Sequence, residues 1–149
     1  MEKASGIMLN HPGILGFLSQ ALVMAGENDR ALNTLDEAFA IIKQTDERHW
    51  ESELYRLKAN LILAQGNPVL AEADFQKAIE IARQQSAKSW ELRTAIDLGR
   101  LWQKMGKKAE AHHLLSEIYG WFSEGFDTPD LIAAKRLIDE LSKSSSCFK

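Results

Sequence analysis

From Pro12 to Leu141 the apolar residues recur at intervals of three and four, the spacing of helices buried along one face. Leu54, Leu57, Leu61 and Ile62 make one stripe, and Leu70, Phe75, Ile79 and Ala82 the next. Further on come Leu92, Ala95, Leu98 and Trp102, then Ala111, Leu115, Ile118 and Phe122. A final stripe, Leu131, Ala134, Leu137, Ile138 and Leu141, is backed by charged Lys135, Arg136, Asp139 and Glu140. The pattern predicts an all-α protein.

The stripes are punctuated at a fixed interval. Gly26, Gly66 and Gly106 stand 40 residues apart. Each is followed by the same series: Ala31, Ala71 and Ala111, then Leu35, Phe75 and Leu115, then Ala38, Ala78 and Ile118. Each is preceded by a small residue, Ser19, Ala59 or Gly99. Trp50 and Trp90 are separated by the same 40 residues. A glycine ends a helix because it enters the left-handed region without a Cβ clash. Small residues on both helices allow close approach of the axes, and the large one fills the gap beside them. The two tryptophans are expected to pack against the preceding helix pair.

Cap residues complete the predicted boundaries. Asn67 followed by Pro68, and Thr128 followed by Pro129, read as N-caps with proline at the first helical position. Thr45 or Asp46, and Ser86, are expected to cap the helices that follow them. Asp130 suits the positive end of the last helix dipole. These signals predict three helix pairs, at about 11–45, 46–85 and 86–125, and a capping helix at 129–142. Residues 1–10 are expected to be a flexible leader and 143–149 a disordered tail, leaving one repeat domain at 11–142.

The spacing of the small residue, the glycine and the Ala71–Phe75–Ala78 series resembles the tetratricopeptide repeat. That repeat is usually about 34 residues long, so the extra length here is expected to extend the helices. The proline that often closes the repeat is absent. A HEAT-like repeat has the period but not the glycine and alanine placement. The resemblance implies a helix-turn-helix repeat superhelix, an α-solenoid, and a protein–protein interaction function. A narrower resemblance is carried by ERHWESELYRLKANLILAQGN, SWELRTAIDLGRLWQKMGKKAEA and IYGWFSEGFDTPDLIAAKRLIDEL. These are similar to the C-terminal arrays of bacterial signalling proteins that join an adenylate cyclase or LuxR-type domain to an ATPase. It implies a fragment of such a regulator, or a short gene derived from one.

In tetratricopeptide arrays the first helix of each pair lines a concave face. By that resemblance the groove positions are Gln20, Val23, Glu53, Arg56, Asn60, Leu63, Arg93, Asp97, Arg100, Gln103 and Lys104. Arg56 and Asn60 share a helix face and suit a peptide carboxylate or a phosphate. Asp97 stands where the chaperone-binding members carry an amide, which argues against that ligand. The other reading of these charges is a solvated face of ion pairs, Glu53 with Arg93 or Arg56 with Asp97. A basic stripe of Arg93, Arg100, Lys104 and Lys108 suits an acidic partner. Ile14, Phe17 and Leu18 on the first helix lack a preceding repeat, so that face is expected to self-associate or to be covered by Ile7–Leu9.

Composition narrows the function further. The 149 residues carry a net charge of −3, with 45% hydrophobic and 26% charged residues, which disfavours a nucleic-acid partner. The apolar run from Ile14 to Ala25 is interrupted by Gly16, Ser19 and Gln20, too polar for a membrane span, and the first ten residues lack a signal-peptide core. One cysteine, Cys147, permits no internal disulfide. A cytoplasmic location fits all of this. No phosphate loop is present, since Gly106-Lys107-Lys108 lacks the leading glycine and the hydroxyl. His112 and His113 point about 100° apart on a helix and do not share a metal, although Glu117 is within reach of His113. No catalytic residue, cofactor or metal is expected. The leading expectation is a scaffold with a protein or peptide in its groove; the alternative is a small-molecule sensor acting on an attached ATPase or cyclase.

Overall fold

The computed structural model describes residues 11–146. Among them are seven helices and no strand. They are α1 (Pro12–Met24), α2 (Asn28–Thr45), α3 (Glu51–Ala64), α4 (Pro68–Gln84), α5 (Lys88–Lys104), α6 (Lys108–Trp121) and α7 (Pro129–Ser146). The chain divides into two compact units, Met1–Ala78 and Ile79–Lys149, with the division falling inside α4.

The three repeat glycines all take the left-handed backbone, with φ of 82°, 87° and 83° at Gly26, Gly66 and Gly106. An added Cβ at any of them would meet nothing within 4 Å, so the requirement is conformational and not steric. Each turn is locked by the long amide bond of a Schellman ending: Glu27 N to Leu22 O (2.8 Å), Asn67 N to Ile62 O (3.2 Å) and Lys107 N to Trp102 O (2.8 Å). These bonds satisfy carbonyls that would otherwise be left over at each helix end.

The links between pairs differ from the sequence expectation. Asp46 and Ser86 do not open the next helices; they close the preceding ones in the left-handed region, at φ 59° and 56°. Thr45 is the last residue of α2, and its hydroxyl donates back to Ile41 O at 2.8 Å. The Asp46 carboxylate is taken by Arg48 Nε at 2.6 Å. The helices that follow begin at Glu51 and Lys88 with no side-chain cap. Asn67 does cap α4, accepting from Leu70 N at 3.4 Å. Thr128 precedes α7 with Pro129 at its first position, but its hydroxyl donates to Gly125 O at 2.8 Å.

In the first unit, Leu15, Leu22, Ala31, Leu35, Ala38, Ile42, Leu54, Leu57 and Leu61 form the core between α1, α2 and α3. Buried Ser19 lets α1 approach α2 closely and donates its hydroxyl to Ala31 O at 3.1 Å. Ser52, fully buried, donates to Ala78 O at 2.8 Å and ties α3 to α4. The indole of Trp50 lies over α1: a Cβ on Gly13 would sit 2.5 Å from its Cε2. Its ring also meets Phe17 edge-on at 5.8 Å. The expected packing of Trp50 on the preceding pair is therefore present. On α4 the inward position falls to Ala71, fully buried, while Leu70 is 54% exposed; Leu70 does not belong to the buried stripe.

In the second unit, Leu92, Ala95, Ile96, Ala111, Leu115, Ile118, Leu131, Ala134, Leu137 and Leu141 form the core of α5, α6 and α7. Gly99 gives up its side-chain space to Leu115, whose Cδ1 would lie 2.8 Å from an added Cβ. The last helix continues to Ser146, beyond the expected end at 142. No glycine or proline follows Leu141 to stop it. The expectations for residues 1–10, for Ile7–Leu9 and for Cys147 lie outside the described residues.

Candidate functional site

In the first unit, α1 and α3 leave between them a half-open cleft of about 410 Å³. Its walls are Ser19, Gln20, Val23 and Met24 from α1, and Arg56, Leu57, Asn60, Leu61 and Ala64 from α3. Ser19 at the cleft wall is buried and tied to α2 through its bond to Ala31 O. Gln20, Val23, Arg56 and Asn60, four of the groove positions expected from the sequence, meet here.

Their polar groups are engaged within the protein. Arg56 grips Glu53 through two bonds, Nε to Oε1 at 3.0 Å and Nη2 to Oε2 at 2.7 Å. Both side chains are largely shielded, at 11% exposure each. Asn60 Nδ2 donates to Arg56 O one turn back, at 3.2 Å. The arginine charge is thus neutralised before any ligand arrives. What the cleft offers is the apolar surface of Val23, Met24, Leu57 and Leu61, with Gln20 and Asn60 as polar markers.

Leu63 is half-buried on α3 and is not part of this cleft; the remaining expected positions lie on α5 in the second unit. Arg93 bonds Asp130 at 3.1 Å, beside a pocket formed by the start of α7 and the loop before it. Asp130 therefore serves as the partner of an arginine as well as a helix-start carboxylate. Arg100 and Lys104 line a different cleft, of about 320 Å³, between α5 and α7. Asp97 is half-buried on the same helix. The expected basic stripe thus divides, with Arg93 neutralised and Arg100 and Lys104 turned to α7.

Arg136 and Glu140 of α7 complete that second cleft, whereas the stripe pattern puts both on a charged outer face. A signal is nevertheless present in the sequence. Leu131, Ala134 and Leu137 repeat Leu92, Ala95 and Leu98 at an offset of 39. This marks α7 as the first helix of a further repeat copy, with Arg136 in the register of Asp97. Other titratable groups meet neighbouring side chains. His113 Nε2 lies 3.3 Å from Glu117, and His112 contacts Ser142 at 3.0 Å. Partial burial raises the pKa of Asp74, opposed by nearby Lys58. Among the described residues no three His, Cys, Asp or Glu side chains form a group able to hold a metal.

Solved structures share this fold. Two crystal structures of a Podosopora anserina protein described as a putative kinesin light chain with nearly identical TPR-like repeats superimpose on the chain. One, a single-substitution variant of that protein, gives a TM-score of 0.70 at 17% identity; the other gives 0.68 at 18%. The fold is that of the tetratricopeptide repeat. Both matches cover 91% of this chain, and the chain spans 66% and 67% of those structures. The tetratricopeptide repeat family model matches residues 50–120, from Trp50 through the helix pairs α3–α4 and α5–α6. No curated protein matches the sequence. Tetratricopeptide repeats are, in general, surfaces for protein–protein interaction. Among the described residues no helix is long and apolar enough to cross a membrane.

Proposed function

We propose that this chain is a protein-interaction scaffold that seats a peptide segment of its partner in the α1–α3 cleft. The observation that carries this reading is the cleft itself: apolar on both walls, half-open, with its one arginine already paired to Glu53. Such a surface takes apolar side chains from an extended or helical segment, and Gln20 and Asn60 orient its backbone. An anionic head group alone gains little there.

A photo-crosslinking amino acid at Val23 or Ala64 tests this directly. The expected result is a discrete protein adduct from both positions and none from Glu37, which is exposed on α2. Identical adducts from all three positions would refute the reading.

The cleft volume also falls within the range of small-molecule sites, which supports the second reading, a ligand-sensing domain. Native mass spectrometry of the purified chain separates the two: a bound mass of a few hundred daltons, lost in Val23→Asp, favours the sensor. The finer context, a cytoplasmic bacterial signalling or transcriptional regulator, is supported by the sequence resemblance of the three segments quoted above. Self-association belongs to the same reading. Ile14, Phe17 and Leu18 on α1 are 38%, 62% and 46% exposed, and Phe17→Glu is expected to abolish any concentration-dependent dimer seen by sedimentation.

A further inference from the structure

Helix α1 is capped by an ionisable residue. His11 takes the N-cap position, and its Nδ1 accepts the amide of Gly13 at 3.1 Å. A backbone N–H can only donate, so Nδ1 must keep its lone pair and the ring must be neutral. Asn67, which caps α4, accepts at any pH; a histidine does not. Protonation fills the lone pair and removes the acceptor. It also sets a cation at the positive end of the α1 dipole. Nothing on α1 offsets that charge, because Pro12–Met24 holds no ionisable side chain.

The neighbouring elements give no relief. Their ionisable groups are Lys43 near the end of α2, and Asp46, Glu47, Arg48, His49 and Glu51 around the link to α3. Arg48 takes Asp46 at 2.6 Å and Glu51 at 2.9 Å. Glu53 of α3 is gripped by Arg56. Among the described residues no carboxylate is paired with His11. The Trp50 indole meets the His11 ring edge-on with centroids 6.3 Å apart, at the limit of cation–π reach, so an imidazolium gains little there. His49 meets the same indole at 5.8 Å, and two charged rings around it repel.

We infer that α1 is a pH-sensitive wall of the α1–α3 cleft, secured while His11 is neutral and loosened from its leading turn when His11 takes a proton. Ser19, Gln20, Val23 and Met24 of this helix form that wall. Histidine is the side chain that changes charge near physiological pH. The cap is present above the ordinary histidine range, at about pH 6.5, and is lost below it. That acidification releases an occupant rests on the reading of the cleft proposed above; the loosening of α1 does not.

Amide hydrogen exchange of the full chain by NMR, from about pH 7.5 to about pH 5.5, tests the inference. Protection factors remove the intrinsic pH dependence of exchange. Wild-type α1 amides are expected to lose about fivefold to tenfold in protection, the effect of one lost cap and one unfavourable helix-end charge, while α5 amides keep theirs. His11→Asn, whose amide oxygen accepts at every pH, is expected to hold α1 protection constant, and His49→Gln to retain most of the fall. In the wild type the Gly13 amide shift should follow the His11 ring protons with one midpoint, a readout that needs no variant. A flat wild-type profile, an equal fall in His11→Asn, a fall abolished by His49→Gln alone, or a Gly13 shift independent of His11 would overturn the inference. The experiment contains no partner, so a missing adduct at Val23 would refute the cleft reading and leave this one standing.

Discussion

Trp50 occupies the space that a side chain at Gly13 would need. A Cβ there would lie 2.5–2.9 Å from three atoms of the indole. The indole is a rigid plane, so the clash is relieved only if the ring or the helix shifts. Gly13→Ala is therefore expected to destabilise the first unit by about 1–3 kcal/mol, the cost of overpacking. In a Trp50→Ala background the same substitution should be near neutral. Denaturant melts of the four proteins give the coupling directly, and additive effects would show that the contact is unimportant.

The turns predict opposite signs for two small substitutions. Ser86 holds φ 56° with a side chain that disfavours it, so Ser86→Gly should stabilise by about 0.5–1 kcal/mol. Gly66 holds φ 87°, and Gly66→Ala should cost about 1–2 kcal/mol although nothing is within 4 Å of the new methyl. Thermal unfolding followed by circular dichroism distinguishes the two.

Arg56 is a structural cation as much as a cleft residue. Removing it leaves Glu53, only 8% exposed, without the guanidinium that holds both of its oxygens. Arg56→Ala should cost at least about 2 kcal/mol, seen as a lower denaturant midpoint. Charge reversal at this position would therefore report on folding before it reported on a partner, whereas Val23, 40% exposed at the cleft wall, can be changed without that cost.

Asp74 gives a pH signature. Burial raises its pKa above the usual 3.8, with Lys58 pulling the other way. A carboxyl whose folded pKa is raised favours the native state most when protonated. Its contribution is full below pH 3.8 and is lost as the pH rises through the raised value. Asp74→Asn should thus match wild-type stability at the acid end and exceed it at neutral pH. A gap that instead widens on acidification would contradict the burial assignment.

The fold is legible in the sequence because its determinants are local and repeated. The glycines at 26, 66 and 106 need a backbone that other residues resist, and the Ala–Leu/Phe–Ala series marks the buried face of the second helices. Asp46 and Ser86 mislead because a small polar residue between helices serves equally as a start or a stop. Only the backbone angle decides between the two. The clefts are half legible. Helical spacing places Gln20, Arg56 and Asn60 on inward faces, but not the grip of Arg56 on Glu53, which depends on side-chain rotamers. Arg136 is missed when α7 is read only as a cap; the offset of 39 that sets α7 in register with α5 is the pattern that places it at the cleft.

The two ends of the helices are secured unequally. The trailing ends of α1, α3 and α5 are closed by Schellman bonds, while α2, α3, α5 and α6 start without a side-chain cap. Amide protons in those leading turns have the least to break before they meet solvent. In α3 and α5, which combine both features, deuterium should therefore enter at the leading turn and advance toward the secured end, so that fraying in these two helices runs in a single direction along the polypeptide.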